Sequence, residues 1–383
     1  MSRSPHVLAC VFGDTDIVRP LGLAGVRSAV VAERGAPVRF SRFVDHRIDL
    51  VDPWTEPERL IDRLVEFARR QDERPVLVYG GDPDLLMISR HRHVLAEHFR
   101  FAVPNADLVE DLVDKQRFQA LAGRLGLPVP PSVLLQPSVC PPPTDFPAPF
   151  PLVLKPVTRE TRRWQPMAGS AKAIEVASLS DLRDRWPALT ASGGAFLAQQ
   201  LVAGPESRIE SYHVYTDDEG AIVGEFTGVK IRTYPTTFGN SSAVAISAVD
   251  DVLDLGRSLV AKLQLRGVAK LDFKRDTDDR LVLLEVNPRF SLWHHPGALA
   301  GVNIPALYYA DMVGEARPSV TAARAGVTWC RAWADLPAAR SSGMTSWAWL
   351  KWFARSDARR DLAWNDPATV VGIPITAYRR RFG

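Results

Sequence analysis

The stretch from Leu271 to Arg289 limits the fold more tightly than any other. It reads Leu-Asp-Phe-Lys, then a polar segment holding Asp276-Thr277-Asp278-Asp279, then Leu-Val-Leu-Leu-Glu-Val-Asn-Pro-Arg. Apolar, Leu- and Val-rich runs on both sides of turn formers predict two antiparallel strands. With Asp278-Asp279 as a two-residue turn, 277 pairs with 280 and 276 with 281, which sets Asp272 opposite Glu285. Side chains alternate along a strand, so Asn287 shares the face of Glu285.

Two carboxylates opposed across a hairpin repel one another unless a cation lies between them. The intervening Leu284 and Val286 are apolar, so the acidic face is a selected one. Two carboxylates and an amide suit Mg²⁺ or Mn²⁺, whose remaining positions go to water and phosphate oxygens. Arg289, two residues past Asn287, is placed to offer a guanidinium to an anion on that ion. A plain hairpin with solvated acids is the competing reading.

Asp-Phe-Lys followed by Leu-Glu-Val-Asn-Pro-Arg-Phe resembles the metal-binding signature of the ATP-grasp superfamily, ATP-dependent carboxylate–amine or carboxylate–thiol ligases. The resemblance implies that Asp272, Glu285 and Asn287 hold Mg²⁺ on ATP and that Arg289 binds the transferring phosphate. It implies a fold of α/β and α+β class: a Rossmann-like domain (1–110), an ATP-grasp N-lobe (111–200), a C-lobe with the metal hairpin (201–316) and a Trp-rich extension (317–383). It implies a reaction in which a carboxylate attacks the γ-phosphate of ATP and an amine displaces the resulting acyl phosphate. The expected substrates are a small carboxylate and an amine, amino-acid- or peptide-like. A carbamoyl-phosphate-synthase- or biotin-carboxylase-like subunit is the alternative within the class, although no carrier domain is visible. Outside it stands a nucleotide-binding regulatory relative without turnover.

Only 8 of the 47 basic residues are Lys, so several lysines are expected where a compact ammonium is wanted. Lys115 follows Asp114 at a helix start, where the macrodipole prefers an acid, which argues for an anion partner. Lys155 interrupts the apolar strand 152–156, at a cost unless it is paired or aimed at an anion. The resemblance puts both on ATP phosphates. The loop 159–173 usually supplies glycines to the triphosphate, yet here only Gly169 remains among Arg159, Arg162 and Arg163. Its Trp164 and Lys172-Ala173 look like the D-aspartate-ligase-like branch, which assigns Lys172 to phosphate. Gln199, Gln200, Leu201 and Val202 end a strand and enter a linker suited to an adenine edge. Glu206 or Glu210 is expected on the ribose, and a strand end is the plainer reading. Similar enzymes place a basic residue near the γ-phosphate where Lys230 and Arg232 lie, although a surface strand end explains both equally. Trp293 and His294, just past the hairpin, are candidates to touch the acceptor, His294 as general base.

Residues 1–110 alternate strand and helix signals: 7–12, a helix capped by Asp16, 28–32, a helix over 56–70, and 75–79. Two of these strands end in Gly-Asp turns, and open α/β sheets bind ligands at such edges. Asp14 and Asp82 are therefore candidate amine contacts, with turn chemistry as the alternative. No Gly-x-Gly-x-x-Gly opens the first helix, which argues against a dinucleotide. His91, His93 and His98 lack zinc spacing.

A net charge of +3 without a basic run does not suggest nucleic acid. Three dispersed cysteines, no signal-peptide pattern and no apolar run of membrane-spanning length suit a cytoplasmic protein and leave room for a homodimer. The tail carries Trp329, Trp333, Trp347, Trp349, Trp352 and Trp364, an aromatic basic stretch that either lies on a membrane or partner or packs back on the body. The packed reading is favoured, with Arg379–Arg381 as a frayed end.

Overall fold

The computed structural model describes residues 7–157, 161–169 and 171–371. The front sheet is made of β1 (Ala9–Phe12), β2 (Ser28–Ala32) and β4 (Val76–Tyr79), short and buried throughout, with the polar, largely exposed β3 (Val44–Asp49) at its edge; all are parallel, in the order β3-β2-β1-β4. Helices α1 (Thr15–Leu23), α2 (Pro57–Ala68), α3 (Asp82–Arg90) and α4 (Arg92–His98) complete this α/β layer. Ile17, Val18 and Leu21 of α1 join one core, while Leu60, Ile61 and Leu64 of α2 join the other. The Asp107–Leu125 segment is two helices, α5 (Ala106–Val113) and α6 (Lys115–Leu125), broken where Asp114 leaves helical geometry to cap α6. Among the described residues no cluster of three or more His, Cys, Asp or Glu is gathered for a metal, His91, His93 and His98 included.

The second sheet contains β5 (Ser132–Leu135), β6 (Leu152–Pro156), β7 (Ile174–Val176) and β8 (Phe196–Gln200), ordered β5-β8-β6-β7. Two helices accompany it, α7 (Thr161–Ala168) and α8 (Leu179–Ala191). α7 corrects the expectation of an open loop. Trp164 is buried, donates its indole N–H to the Ala171 carbonyl (2.8 Å) and packs on Phe196, so an aromatic anchor sits where glycines were looked for. Arg159, Glu160 and Ser170 of that stretch, like Arg379–Arg381, lie outside the described residues.

The third sheet takes in β9 (Ile209–Thr216), β10 (Ile222–Tyr234), β11 (Asn240–Ser247), β12 (Gly267–Arg275), β13 (Leu281–Asn287), β14 (Thr328–Cys330) and β15 (Ala358–Arg359). Its order is β13-β12-β9-β10-β11-β14-β15. Helix α9 (Asp250–Lys262) packs behind it, and α10 (His294–Leu299) and α11 (Ile304–Val313) join it to the front layer. The Tyr308 hydroxyl donates to the Leu77 carbonyl, and the Phe290 N–H reaches the Tyr79 carbonyl. The β12–β13 hairpin therefore emerges against the carboxyl edge of the front sheet.

The Trp-rich tail packs on the body in part: Trp329 and Trp349 are buried and Trp352 is half-buried, while Trp333, Trp347 and Trp364 stand exposed. α12 (Ala332–Ser341) and α13 (Ser346–Arg355) cover the outer face of the third sheet, where Trp349 donates to the buried Asp335. The last described turns return to the front layer: Asp366 is fully buried, pairs with Arg19 (3.1 Å) and accepts from the Ser41 hydroxyl. No helix among the described residues is long and apolar enough to cross a membrane.

Asp14, not Asp16, caps α1, accepting from the Thr15 N–H, because Asp16 turns inward to take the Trp329 indole N–H (2.8 Å). Burial pushes the Asp16 carboxyl up to about 7, against Arg19, the Trp329 N–H and Arg331, with Asp361 adding to the rise. The folded chain thus holds this proton more tightly than the unfolded chain. The contribution to stability is intact below 3.8 and is lost as pH rises through about 7. Asp16→Asn removes that loss, so urea unfolding of the two proteins should diverge in favour of the variant between pH 4 and 7; parallel pH profiles would contradict the assignment.

Candidate active site on the third sheet

The hairpin loop is longer than the two-residue turn expected. Arg275 pairs with Leu281, the Asp276 N–H donates to the Arg280 carbonyl, and Asp279 takes a left-handed φ of 65°. This would shift every pair by one, but a bulge at Leu284 restores the register and Asp272 lies opposite Glu285, with Lys270 opposite Asn287. All four side chains share one face. Asp272 is 2% exposed and accepts from the Ser211 hydroxyl; Glu285 is exposed and accepts from the Asn287 amide (3.0 Å).

Lys270 is the residue missed in the sequence, although strand alternation from Asp272 points to it. Its ammonium stands 2.6 Å from Asp272 and 5.7 Å from the centre of the Trp293 ring. An ammonium already beside this carboxylate shows that the face favours a cation. The oxygen donors of this face, two carboxylates and an amide, are of the type Mg²⁺ takes, with Asp272 now held by Ser211 and Lys270 and Asn287 Oδ1 by Arg289.

Arg289 closes the end of the hairpin. It donates to Asp82, to the Gly80 carbonyl (3.2 Å) and to Asn287 Oδ1 (3.2 Å). Asp82 is thus the counter-ion that orients Arg289. Gly80 needs to be small there: a Cβ would lie 2.9 Å from the Phe12 carbonyl oxygen.

Across the cleft, Lys155 donates to Gln199 (2.8 Å), and Lys115 donates to the Pro156 carbonyl (2.7 Å). Burial holds the Lys155 ammonium below its usual pKa, with Glu285 and Glu206 pulling it back up and Lys230 lowering it further. The same pattern holds for Lys274, which senses Glu206 and Lys230. Lys155, Lys230, Lys274, Glu206 and Glu285 therefore form one electrostatic neighbourhood. The Lys172 N–H meets the Phe238 carbonyl (3.3 Å), tying its loop to 234–240.

Several candidates face elsewhere. Gln199 is buried and engaged with Lys155. The N–H groups of Gln200 and Leu201 already bond the Pro131 and Pro151 carbonyls, which leaves the linker's other backbone groups and Val202 for an adenine. Glu210 points to the opposite sheet face and is held by Arg275, so of the two ribose candidates only Glu206 lies toward the lysines. Arg232 is a correction. A bulge between Lys230 and Arg232 turns it to the outer face, where it makes a bidentate pair with Asp335 (2.8 and 2.7 Å). His294 is another. It is 1% exposed among Phe290, Phe226 and His213, neither ring nitrogen has a hydrogen bond, and burial lowers its pKa to about 3. Such a ring cannot reach an amine as a base. Trp293 is buried flat over Gly228, where no Cβ would fit, and forms part of the floor. Asp14 pairs with Arg360 of the tail.

An open parallel sheet in front, a four-stranded lobe bearing Lys155, and a larger sheet whose edge hairpin opposes two acids form a characteristic arrangement. Residues 230–331 match the family model described as "ATP-grasp in the biosynthetic pathway with Ter operon". An L-amino acid ligase from Bacillus licheniformis superposes with a TM-score of 0.62 at 14% identity, covering 82% of this chain and 76% of that one. This is an ATP-grasp fold. An ADP complex of N5-carboxyaminoimidazole ribonucleotide synthetase shares it (TM-score 0.61, 14% identity, 85% and 82% covered). Among curated proteins, a D-aspartate ligase of Enterococcus faecium (strain Aus0004) is 20% identical over 297 residues, 74% of this chain and 70% of its own. The segment that the family model matches takes in Lys230, the hairpin and β14.

Proposed function

We propose that this chain is an ATP- and Mg²⁺-dependent ligase that activates a carboxylate as an acyl phosphate and joins it to an amine. The observation that carries the reading is the gathering of Asp272, Glu285 and Asn287 on one face, closed by Arg289 and facing Lys155 and Lys230. The similarity to a D-aspartate ligase and to the fold of an L-amino acid ligase supports an amide-forming reaction. Asp272, Glu285 and Asn287 would hold the metal, which when bound supplies charge neutralisation on the phosphates.

The chain's own residues do the rest. Lys155 and Lys115 border the space for the β-phosphate side of the nucleotide, their ammonium groups fixed by Gln199 and Pro156. Lys230 and Arg289 flank the position of the transferring phosphoryl group, where charge spreads over three oxygens and positioned cations lower the barrier. Lys270, beside Asp272 and over Trp293, is placed at the substrate side of that phosphate. The γ-phosphoryl group passes from ATP to the carboxylate oxygen as its bond to the β-phosphate oxygen breaks, leaving ADP. The amine nitrogen then forms the C–N bond as the C–O bond to phosphate breaks, releasing phosphate and one proton.

The test is ADP release with ATP, Mg²⁺ and a matrix of amino acids and other small acids and amines. Release that requires one acid and one amine supports the ligase; tight ATP binding with no release under any pair would sink it in favour of a regulatory nucleotide binder.

Because Asp82 orients Arg289, Asp82→Asn should lower kcat about tenfold with little change in the KM for ATP. In an Arg289→Met background the same change should cost almost nothing further. Additive losses from the two substitutions would show that they act separately.

A further inference from the structure

The face that gathers Asp272, Glu285 and Asn287 carries a cation of its own. Lys270 stands on β12, an interior strand with β13 on one side and β9 on the other, and pairs with Asn287 across the first and His213 across the second. Strand alternation sets its side chain among the oxygen donors, two residues before Asp272. That side chain is only 12% exposed; its ammonium lies 2.6 Å from Asp272 Oδ2 and 5.7 Å from the centre of the Trp293 ring. The His213 ring opposite is fully buried, which holds it well below the ordinary histidine pKa and keeps it neutral. Asp272 is therefore the acid that fixes this ammonium.

Asp272 is committed at both oxygens: Oδ1 accepts from the Ser211 hydroxyl and Oδ2 from Lys270. A divalent ion can share that carboxylate only by standing close to the ammonium, and two cations at such a separation, on a face partly shielded from water, repel one another strongly. The ammonium also changes the charge of the donor set. Two carboxylates and one ammonium leave a single net negative charge. Mg²⁺ gives up its water reluctantly, so a set this weak does not strip a bare ion. Phosphate oxygens supply the charge that the face lacks.

We propose that Lys270 sets the metal affinity of this face: it competes with the divalent ion for Asp272, so that the ion is taken up only together with the phosphates of a nucleotide. The proposal rests on the ligase reading and adds to it the order in which the face is loaded. Lys270 acts here through Asp272, as a positioning residue. Without its ammonium the face would bind the bare ion before the nucleotide arrives.

The test is equilibrium binding by calorimetry on the full chain, with Mn²⁺ alone and with the Mn²⁺–ADP complex as probes, so that it does not depend on turnover. The wild-type chain should bind Mn²⁺ alone about 100-fold more weakly than Mn²⁺–ADP, and Lys270→Met should tighten the binding of Mn²⁺ alone by about tenfold or more. Lys270→Gln, which keeps a polar side chain, provides a second variant with the same expected gain, and thermal melting shows which of the two is folded. Lys270→Arg retains the charge and should stay within about threefold of wild type. Tight binding of Mn²⁺ alone by the wild-type chain would overturn the proposal. So would unchanged or weaker binding by a folded Met or Gln variant, or an Arg variant that gains as they do. ADP release that requires an acid and an amine would then still leave the ligase reading standing. Failure of that release under every pair would remove the ligase reading, while a gain in Mn²⁺ affinity would still support competition for Asp272.

Discussion

Glu285→Gln should reduce ADP formation by about 10³-fold while leaving the fold intact. The carboxylate is exposed in the cleft, opposite Asp272 across the hairpin, and accepts from the Asn287 amide, a bond that a glutamine carbonyl can also accept. Two opposed acids cost stability in the absence of a cation, so the melting temperature should hold or rise slightly. The same removal of charge withdraws one of the two groups that support the Lys155 ammonium. ATP binding should therefore weaken as well, by less than the rate. Stopped-time ADP assays and circular dichroism on one preparation decide the matter. Turnover within threefold of wild type would remove the hairpin from the mechanism.

The second large effect is on stability. Asp335 is fully buried on the outer face of the sheet and accepts from Arg232 twice, from the Ser242 hydroxyl (2.9 Å) and from the Trp349 indole (2.8 Å). Trp352 lies against the same guanidinium, 4.3 Å from its ring centre. Asp335→Ala leaves a nearly buried arginine without its counter-charge, a loss of about 3–5 kcal/mol. Urea unfolding should show it as a lower midpoint at similar slope. Adding Arg232→Met should recover a large part of the loss, because the uncompensated charge goes with it. If the double variant is less stable than Asp335→Ala alone, Arg232 is held by something other than this acid.

The hairpin was legible because its register is fixed twice, by the apolar alternation and by the opposed acids. Even so, the turn was misjudged by one residue and a bulge at Leu284 made up the difference. Bulges also explain Arg232: alternation counted from Lys230 puts both on one face, and one unpaired residue sends the second to the far side. No local pattern announces such an insertion. His294 was misread for another reason. It follows a loop in sequence, but α10 begins there and folds the ring under Phe290. The Trp164 helix escaped notice because its anchor is a tertiary contact with Phe196. Lys270, by contrast, was within reach, two residues from Asp272 on a strand already drawn.

The bond between Arg19 and Asp366 spans 347 positions of the chain. A ribosome adding about 5–20 residues per second needs tens of seconds to go from one to the other. Throughout that interval the first helix has emerged with a guanidinium destined for complete burial, while the acid that pairs with it there has not been made. The contacts of Arg19 in the front layer are complete only once the segment around Asp366 has arrived.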